Sequence, residues 1–229
     1  MSEVAQNLKI VSAEIEKSRL KKKVAVDDPI TLIAVTKNHG ADLMREAIDW
    51  GITDIGENRI QEAAEKFSIL DREVKKHLIG HLQTNKVKQA VKLFDLIHSV
   101  DSEHLATAID KAASSAEKIQ DILIQVNLAK EDSKSGVYKE NLKNLIEKVD
   151  ELKNLRLRGL MMIAPNYSDV EKCRPLFAEM RKIFDEIKVN RQNFDFLSMG
   201  MTNDYKVAIE EGANVVRIGT AIFGARNYF

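Results

Sequence analysis

The sequence predicts an α/β protein built as a single (β/α)8 TIM barrel with an extra N-terminal helix. Short apolar runs rich in Val, Ile and Leu alternate with stretches of helical periodicity along all 229 residues. Eight such runs occur, and a strand that is apolar on both faces is typical of a parallel sheet. A doubly wound open sheet is the alternative fold. No Gly-x-Gly-x-x-Gly follows the first strand, so the dinucleotide-binding version of that fold lacks its main support.

The first strand is the clearest of these runs, because it is almost continuously apolar until it stops at Lys37. Upstream, an apolar stripe at helical spacing predicts an N-terminal helix over residues 1–25, which either closes the barrel bottom or forms an interface. The predicted strands are Ile30–Lys37, Asp54–Gly56, His77–Gly80, Leu96–Val100, Asp121–Leu128, Leu157–Ile163, Phe196–Met199 and Val215–Ile218. After the first strand, Asp42 is expected to cap a helix that Gly51 ends. Ser168 and Glu171 match a capping box for a later helix.

Composition narrows the class of function. Lys plus Arg and Asp plus Glu are 35 each, a balance that gives no electrostatic footprint for nucleic acid or an anionic membrane. No apolar run approaches the roughly 20 residues of a membrane helix, and the N-terminus lacks a signal-peptide pattern. The lone Cys173 excludes an internal disulfide framework. We therefore expect a cytoplasmic protein that forms one domain over residues 1–229, since no Gly/Ser-rich linker divides it.

Functional side chains in a barrel gather where the strands end at their carboxyl side. The predicted strand ends bring Lys37, Asn58 and Arg217 together with several small polar residues. No pair of carboxylates on neighbouring strand ends suggests a glycosidase. His81 and His98 are a conceivable metal pair, but two histidines without a nearby carboxylate are more often structural.

The end of the eighth strand is the most informative. Gly219 and Thr220 offer backbone N–H groups, a hydroxyl and the start of a helical turn, an arrangement that binds phosphate. Ser198, at the end of strand seven, adds a second hydroxyl. Together with Lys37, whose amine can form a Schiff base once its pKa falls from about 10.4, these residues suggest a phosphorylated aldehyde as ligand.

Longer motifs make the sequence recognisable. It resembles the pyridoxal phosphate homeostasis proteins, also called the PLP-binding or YggS/PROSC family, over almost the whole chain. The residues that carry the resemblance are Ala34–Lys37, Gly56–Asn58, His77–Lys86, Ser133–Gly136, Arg158–Met161, Leu197–Met201 and Val216–Arg226. Thr36 replaces the serine of many members, Lys76 replaces a tryptophan, and the proline common soon after the lysine is absent. These departures leave the shape of the loop after strand one open.

The resemblance implies a barrel like the N-terminal domain of alanine racemase with pyridoxal 5'-phosphate (PLP) as cofactor. Lys37 would form the Schiff base, Arg217 would face the pyridine nitrogen, and Ser198, with Gly219 and Thr220, would hold the phosphate. The implied cofactor-binding residues are Lys37, Asn58, Ser198, Met199, Arg217, Gly219 and Thr220.

The family is thought to buffer and deliver PLP and to affect amino-acid balance, without robust turnover. We expect the same here: a monomer whose recipients are apo PLP-enzymes, with no catalytic residue. The absence of the racemases' second domain from this sequence favours a carrier. A weak PLP-dependent amino-acid racemase is one alternative. A cofactor-free barrel enzyme that binds a sugar phosphate through Lys37 is another.

Overall fold

The computed structural model describes residues 2–24, 29–131 and 134–224. The predicted end of the N-terminal helix at residue 25 is wrong, since the helix ends at Arg19, and residue 25 itself lies outside the described residues. So do Ser133 of one family motif and Ala225 and Arg226 of another.

Within the described residues, the strands form one closed parallel barrel in sequence order, because β1 pairs with β8 as well as with β2. The strands are β1 (Thr31–Val35), β2 (Asp54–Glu57), β3 (Lys75–Leu78), β4 (Leu96–Val100), β5 (Gln120–Val126), β6 (Leu155–Met162), β7 (Phe196–Met201) and β8 (Val215–Ile218). The predicted (β/α)8 barrel is confirmed, and the open-sheet alternative is wrong. The predicted bounds of β4 and β8 agree with the structure, while each of the other strands has at least one bound that shifts by one or two residues.

Helices follow the strands and cover the outside of the barrel. They are α1 (Glu3–Arg19), α2 (Ala41–Asp49), α3 (Ile60–Ser68), α4 (Val87–Leu93), α5 (Glu103–Ser115), α6 (Lys139–Asp150), α7 (Arg174–Lys188), α8 (Tyr205–Glu210) and α9 (Thr220–Phe223). Short 3₁₀ helices at Thr84–Lys86 and Val170–Cys173 precede α4 and α7. No helix of the described ranges is both long and apolar enough to cross a membrane.

The N-terminal helix α1 lies in the outer helical layer rather than across the barrel bottom. Its apolar stripe, Val4, Leu8, Val11 and Ile15, is buried in the main core. The helix packs against α2, α8 and α9, and Asn7 Nδ2 donates to the backbone oxygen of Ile222 at 3.0 Å. It therefore covers the part of the barrel wall where α9 is only four residues long.

Two predicted helix caps are wrong. Gly40, not Asp42, is the N-cap of α2, and Asp42 lies in its first turn. The carboxylate of Asp169, not the hydroxyl of Ser168, accepts the N–H of Glu171 at 3.1 Å, because the chain forms a 3₁₀ turn before α7 begins. The predicted end of α2 at Gly51 is confirmed, since Gly51 follows the helix with a left-handed φ of 118°.

Side chains alternate between two cores. Those that point outward from the barrel, among them Leu197, Met199 and Ile218, join the large core between sheet and helices. Those that point inward include Leu96, Leu123 and Met161, packed with Ile163 and Phe196. This alternation has a period of two. It decides which residues near each strand end reach the barrel interior.

Candidate functional site

A cavity of about 610 Å³ opens at the carboxyl ends of the strands, the face on which barrel enzymes place their sites. Among the residues proposed from the sequence, Lys37, Asn58, Arg217, Gly219 and Thr220 line it. The structure thus brings five of the seven together, from β1, β2 and β8 and the loops that follow them.

Ser198 and Met199 do not line this cavity. The Ser198 side chain is fully buried and its hydroxyl already contacts Arg217 at 2.6 Å and His98 at 3.1 Å. The expected contact between this hydroxyl and a phosphate stays a prediction, while its contacts within the structure are with Arg217 and His98. Met199 lies one position further along β7, so its side chain points outward into the helix-facing core.

Lys37 lies in a turn that begins directly after β1. The Thr36 carbonyl accepts the N–H of His39 at 3.0 Å, which closes the turn. Asn38 has a φ of 62°, and asparagine tolerates this left-handed conformation better than most residues. The loop whose shape the sequence left open is thus a tight turn that presents the half-buried Lys37 side chain to the cavity.

A buried charged network behind the barrel wall holds both sides of this turn. The Thr36 hydroxyl donates to Glu57 Oε1 at 2.6 Å, and Lys66 Nζ donates to the same oxygen at 2.8 Å. Lys66 also donates to the Thr36 carbonyl at 2.7 Å and to Glu62 at 2.6 Å. Glu62 in turn accepts the backbone N–H of Asn38. Burial raises the pKa of Glu57, although the Lys66 ammonium opposes the rise.

Arg217 lies at the floor of the cavity with 3% exposure. Nη1 donates to Ser198 Oγ at 2.6 Å and Nη2 donates to the Met162 carbonyl at 2.8 Å. Burial lowers the pKa of Arg217 to about 10, while the nearby Asp204 carboxylate acts in the opposite direction. The guanidinium is therefore still a cation at neutral pH, and it can only donate hydrogen bonds.

Asn58 carries an unsatisfied buried atom. Its Oδ1 is buried and no described residue donates a hydrogen bond to it. The backbone at Asn58 is also approached closely, since a Cβ built on Gly80 would lie 2.3 Å from the Asn58 carbonyl oxygen. A buried acceptor without a partner costs free energy, so this oxygen is a candidate contact for a ligand donor.

Gly219 and Thr220 form the wall of the cavity after β8. A Cβ on Gly219 would lie 3.2 Å from the Val35 carbonyl, so a larger residue would press against the end of β1. Thr220 is exposed and starts α9. Thr220 and Lys37 line the same cavity.

Some lining residues escaped the sequence analysis. They come from the loops after β6 and β7 and include Asn166, Tyr167, Thr202, Asn203 and Asp204. Asp204 is buried, accepts the Met201 N–H at 2.6 Å, and has a pKa that burial raises. The sequence did not identify these residues, because a polar loop after a strand has the same composition whether or not it folds over a cavity.

The two histidines considered as metal ligands have separate contacts. His98 is buried between His77 and Ser198 inside the barrel, while His81 Nδ1 lies 3.1 Å from the Ser135 hydroxyl. The part of the chain that the structure describes contains no cluster of three or more His, Cys, Asp or Glu side chains that could hold a metal ion.

The Thr36 hydroxyl provides a direct test of the network behind the turn. Thr36→Val keeps the volume but removes the donor to Glu57, so we expect a loss of about 1–3 kcal/mol in the free energy of unfolding. Thr36→Ser keeps the hydroxyl and should cost less than Thr36→Val. Urea unfolding of the three proteins measures the difference. An equal loss in both variants would show that the hydroxyl does not stabilise the turn.

His98 should make stability depend on pH. Burial, and then the neighbouring His77 and Arg217, hold its pKa well below the usual 6.5. An unfolded histidine takes up a proton below about pH 6.5, whereas folded His98 stays neutral. The free energy of unfolding should therefore fall as pH is lowered from about 7 towards about 5.5, by up to about 1.4 kcal/mol per pH unit.

Chemical denaturation across that pH range measures the slope. His98→Gln should flatten it, whereas His104→Gln, at an exposed position on α5, should leave it unchanged. An unchanged slope in His98→Gln would contradict the assignment.

Comparison with known proteins agrees with this architecture. The family model described as the alanine racemase N-terminal domain matches residues 16–227. A protein of Aquifex aeolicus is 44% identical over 86% of this chain and 87% of its own length. Relatives from Pseudomonas aeruginosa and Escherichia coli K12 are 39% and 36% identical over the full chain and 98% and 99% of their own lengths. All three are described as pyridoxal phosphate homeostasis proteins.

Solved structures show the same relationship. PipY of Synechococcus elongatus, solved with PLP bound, has a TM-score of 0.84 and 34% identity over 96% of this chain and all of its own. An alanine racemase of Clostridium difficile has a TM-score of 0.69 at 15% identity, with 57% of its length covered, a likeness of fold alone. The barrel, the motifs at its strand ends and the full-length relatives lead to one conclusion. The chain belongs to the pyridoxal phosphate homeostasis protein family and has the fold of the alanine racemase N-terminal domain.

Proposed function

We propose that this protein binds PLP covalently through Lys37 and takes part in PLP homeostasis, holding the cofactor and delivering it rather than using it for catalysis. The observation that carries the proposal is the convergence of Lys37, Arg217 and Thr220 on one cavity. The bound cofactor of PipY and the shared description of the relatives support it.

The residues present fit the chemistry of PLP. Lys37 supplies an amine that can react with the aldehyde, Thr220 supplies a hydroxyl for the phosphate, and Arg217 supplies a buried cation for the ring nitrogen. The unsatisfied Oδ1 of Asn58 gives a hydrogen-bond acceptor beside the ring. Ser198 enters the proposal through its contact with Arg217, and Met199 through its place on β7 rather than by a side-chain contact.

The arginine also bears on catalysis. PLP supplies an electron sink for amino-acid chemistry, and that sink is strongest when the ring nitrogen is protonated. Arg217 can only donate hydrogen bonds, so the ring nitrogen opposite it must accept and therefore stays unprotonated. This favours storage and delivery over turnover. In this proposal the protein is a cytoplasmic monomer whose recipients are apo PLP-enzymes.

Covalent attachment at Lys37 is the first expectation. Borohydride reduction of the PLP-loaded protein should place a pyridoxyl group on the peptide that contains Lys37, as read by peptide mass mapping. Lys37→Ala should lose this label, whereas Lys88→Ala, at an exposed position on α4, should keep it. Label found only on another peptide, such as that of Lys134, would overturn the assignment.

Thr220 should act on the phosphate. Thr220→Val removes a charge-assisted hydrogen bond worth roughly 1.5–3 kcal/mol, so PLP affinity should fall about 10- to 100-fold. Pyridoxal, which lacks the phosphate, should lose much less. Titration of both ligands by absorbance gives the two ratios. Equal losses for PLP and pyridoxal would place Thr220 away from the phosphate.

The PLP-loaded protein should show no substantial racemisation. Chiral analysis of alanine and serine incubated with the protein measures it directly. We expect turnover far below the ~10 s⁻¹ typical of enzymes. A rate near that value for either amino acid would replace the carrier proposal with a racemase.

A further inference from the structure

A chain of buried hydrogen bonds crosses the barrel interior beneath the cavity. Arg217 Nη1 is 2.6 Å from Ser198 Oγ, which is 3.1 Å from His98 Nδ1. His98 Nε2 is 3.0 Å from His77 Nδ1, and His77 Nε2 is 2.8 Å from Asp54 Oδ1. All five side chains are buried. They come from five strands, β8, β7, β4, β3 and β2.

The two ends of the chain set the direction of the hydrogen bonds that they make. Arginine can only donate, so Ser198 Oγ accepts from it. An ionised carboxylate can only accept, so His77 Nε2 must carry a proton. In the arrangement with both rings neutral, His98 Nε2–H donates to the bare Nδ1 of His77, and Ser198 donates its own proton to the bare Nδ1 of His98. Each proton in the chain points from Arg217 towards Asp54, and each of these donors has an acceptor.

The charges agree with this direction. Burial keeps the pKa of His98 well below its usual range, so its ring is neutral. Burial acts to raise the pKa of Asp54, but hydrogen bonds from His77 and Thr53 outweigh it and the pKa is lowered. A cation and an anion therefore terminate the chain. Asp204 is the other charged group that acts on Arg217, and it lies on the cavity side.

We propose that Asp54, His77, His98 and Ser198 are positioning residues that hold Arg217 as an oriented hydrogen-bond donor. Through Arg217 they select a ligand with an unprotonated ring nitrogen. The inference rests on the proposed binding of PLP, because it assigns the ring nitrogen to Arg217. Nη1 donates to Ser198 and Nη2 donates to Met162, so the guanidinium cannot rotate without breaking one of these hydrogen bonds.

A ligand pair tests this selection. PLP is compared with an analogue that carries a C–H group in place of the ring nitrogen and is otherwise the same. The wild-type protein should prefer PLP by about 10- to 100-fold, the range expected for a hydrogen bond to a charged group. Ser198→Ala, His98→Gln and Asp54→Asn should each reduce that preference by about threefold or more.

Ser99→Ala is the matched control. Ser99 is also a fully buried serine on a barrel strand, but its hydroxyl has no hydrogen-bond partner among the described residues. It should leave the preference unchanged. If the variants of Ser198, His98 and Asp54 still bind PLP and discriminate as well as the wild type, the inference is overturned and the proposed function stands. Failure of the wild-type protein to bind PLP would overturn the proposed function, and with it the selection.

The ligand-free protein provides a second measurement of the chain itself. Nitrogen NMR of protein labelled at histidine should show both His77 and His98 with a protonated Nε2 and a bare Nδ1. Ser198→Ala removes the donor to His98 Nδ1, so the resonance of that nitrogen should shift while the corresponding signal in Ser99→Ala stays in place. A His98 ring protonated at Nδ1 would overturn the inference whether or not PLP binds.

Discussion

The parallel pairing of β1 with β8 is the constraint on which the site depends. Ile33 lies opposite Arg217 in that pairing. Because these strands are neighbours, the residues that follow them, Lys37 after β1 and Thr220 after β8, border the same cavity. An open sheet would place the first and last strands apart. The closure of the barrel therefore creates a site from residues that are far apart in the sequence.

Two polar networks lie on opposite sides of the barrel wall. Outside, Thr36 and Glu57 point towards the helices and meet Lys66 of α3, which secures the end of β1. Inside, the chain of buried hydrogen bonds runs from Asp54 to Arg217. Consecutive residues alternate between the two sides, so an outward threonine that is held in place determines where the lysine next to it lies. The hydrogen bonds within each network offset the cost of burying its polar groups, while Glu57 Oε2 is buried without a partner among the described residues.

Much of this could be predicted from the sequence. The apolar runs predicted the strands, because a strand that is buried on both faces is almost continuously apolar in sequence. The family motifs located Lys37, Arg217 and Thr220 because each follows or ends such a run. Ser198 was placed correctly along β7, but its contacts with Arg217 and His98 were not predicted. A strand-end position shows where a hydroxyl lies, whereas its partner depends on which neighbouring side chain reaches it first.

The missed residues share a physical reason. Asp54 and His77 lie in the barrel interior, and their pairing depends on the register between β2 and β3, which a single sequence does not reveal. Lys66 looked like one of many helical lysines, yet it is buried against Glu57. Buried charges of this kind are recognisable only when the partner is known.

The position of α1 has a consequence for how the protein is made. Its apolar stripe packs against α2, α8 and α9. The ribosome therefore releases this helix long before α8 and α9 exist. Contacts between distant parts of a chain form slowly, and apolar surface left exposed in the meantime promotes aggregation. The nascent chain thus carries an amphipathic helix without its full set of packing partners until α8 and α9 have been made.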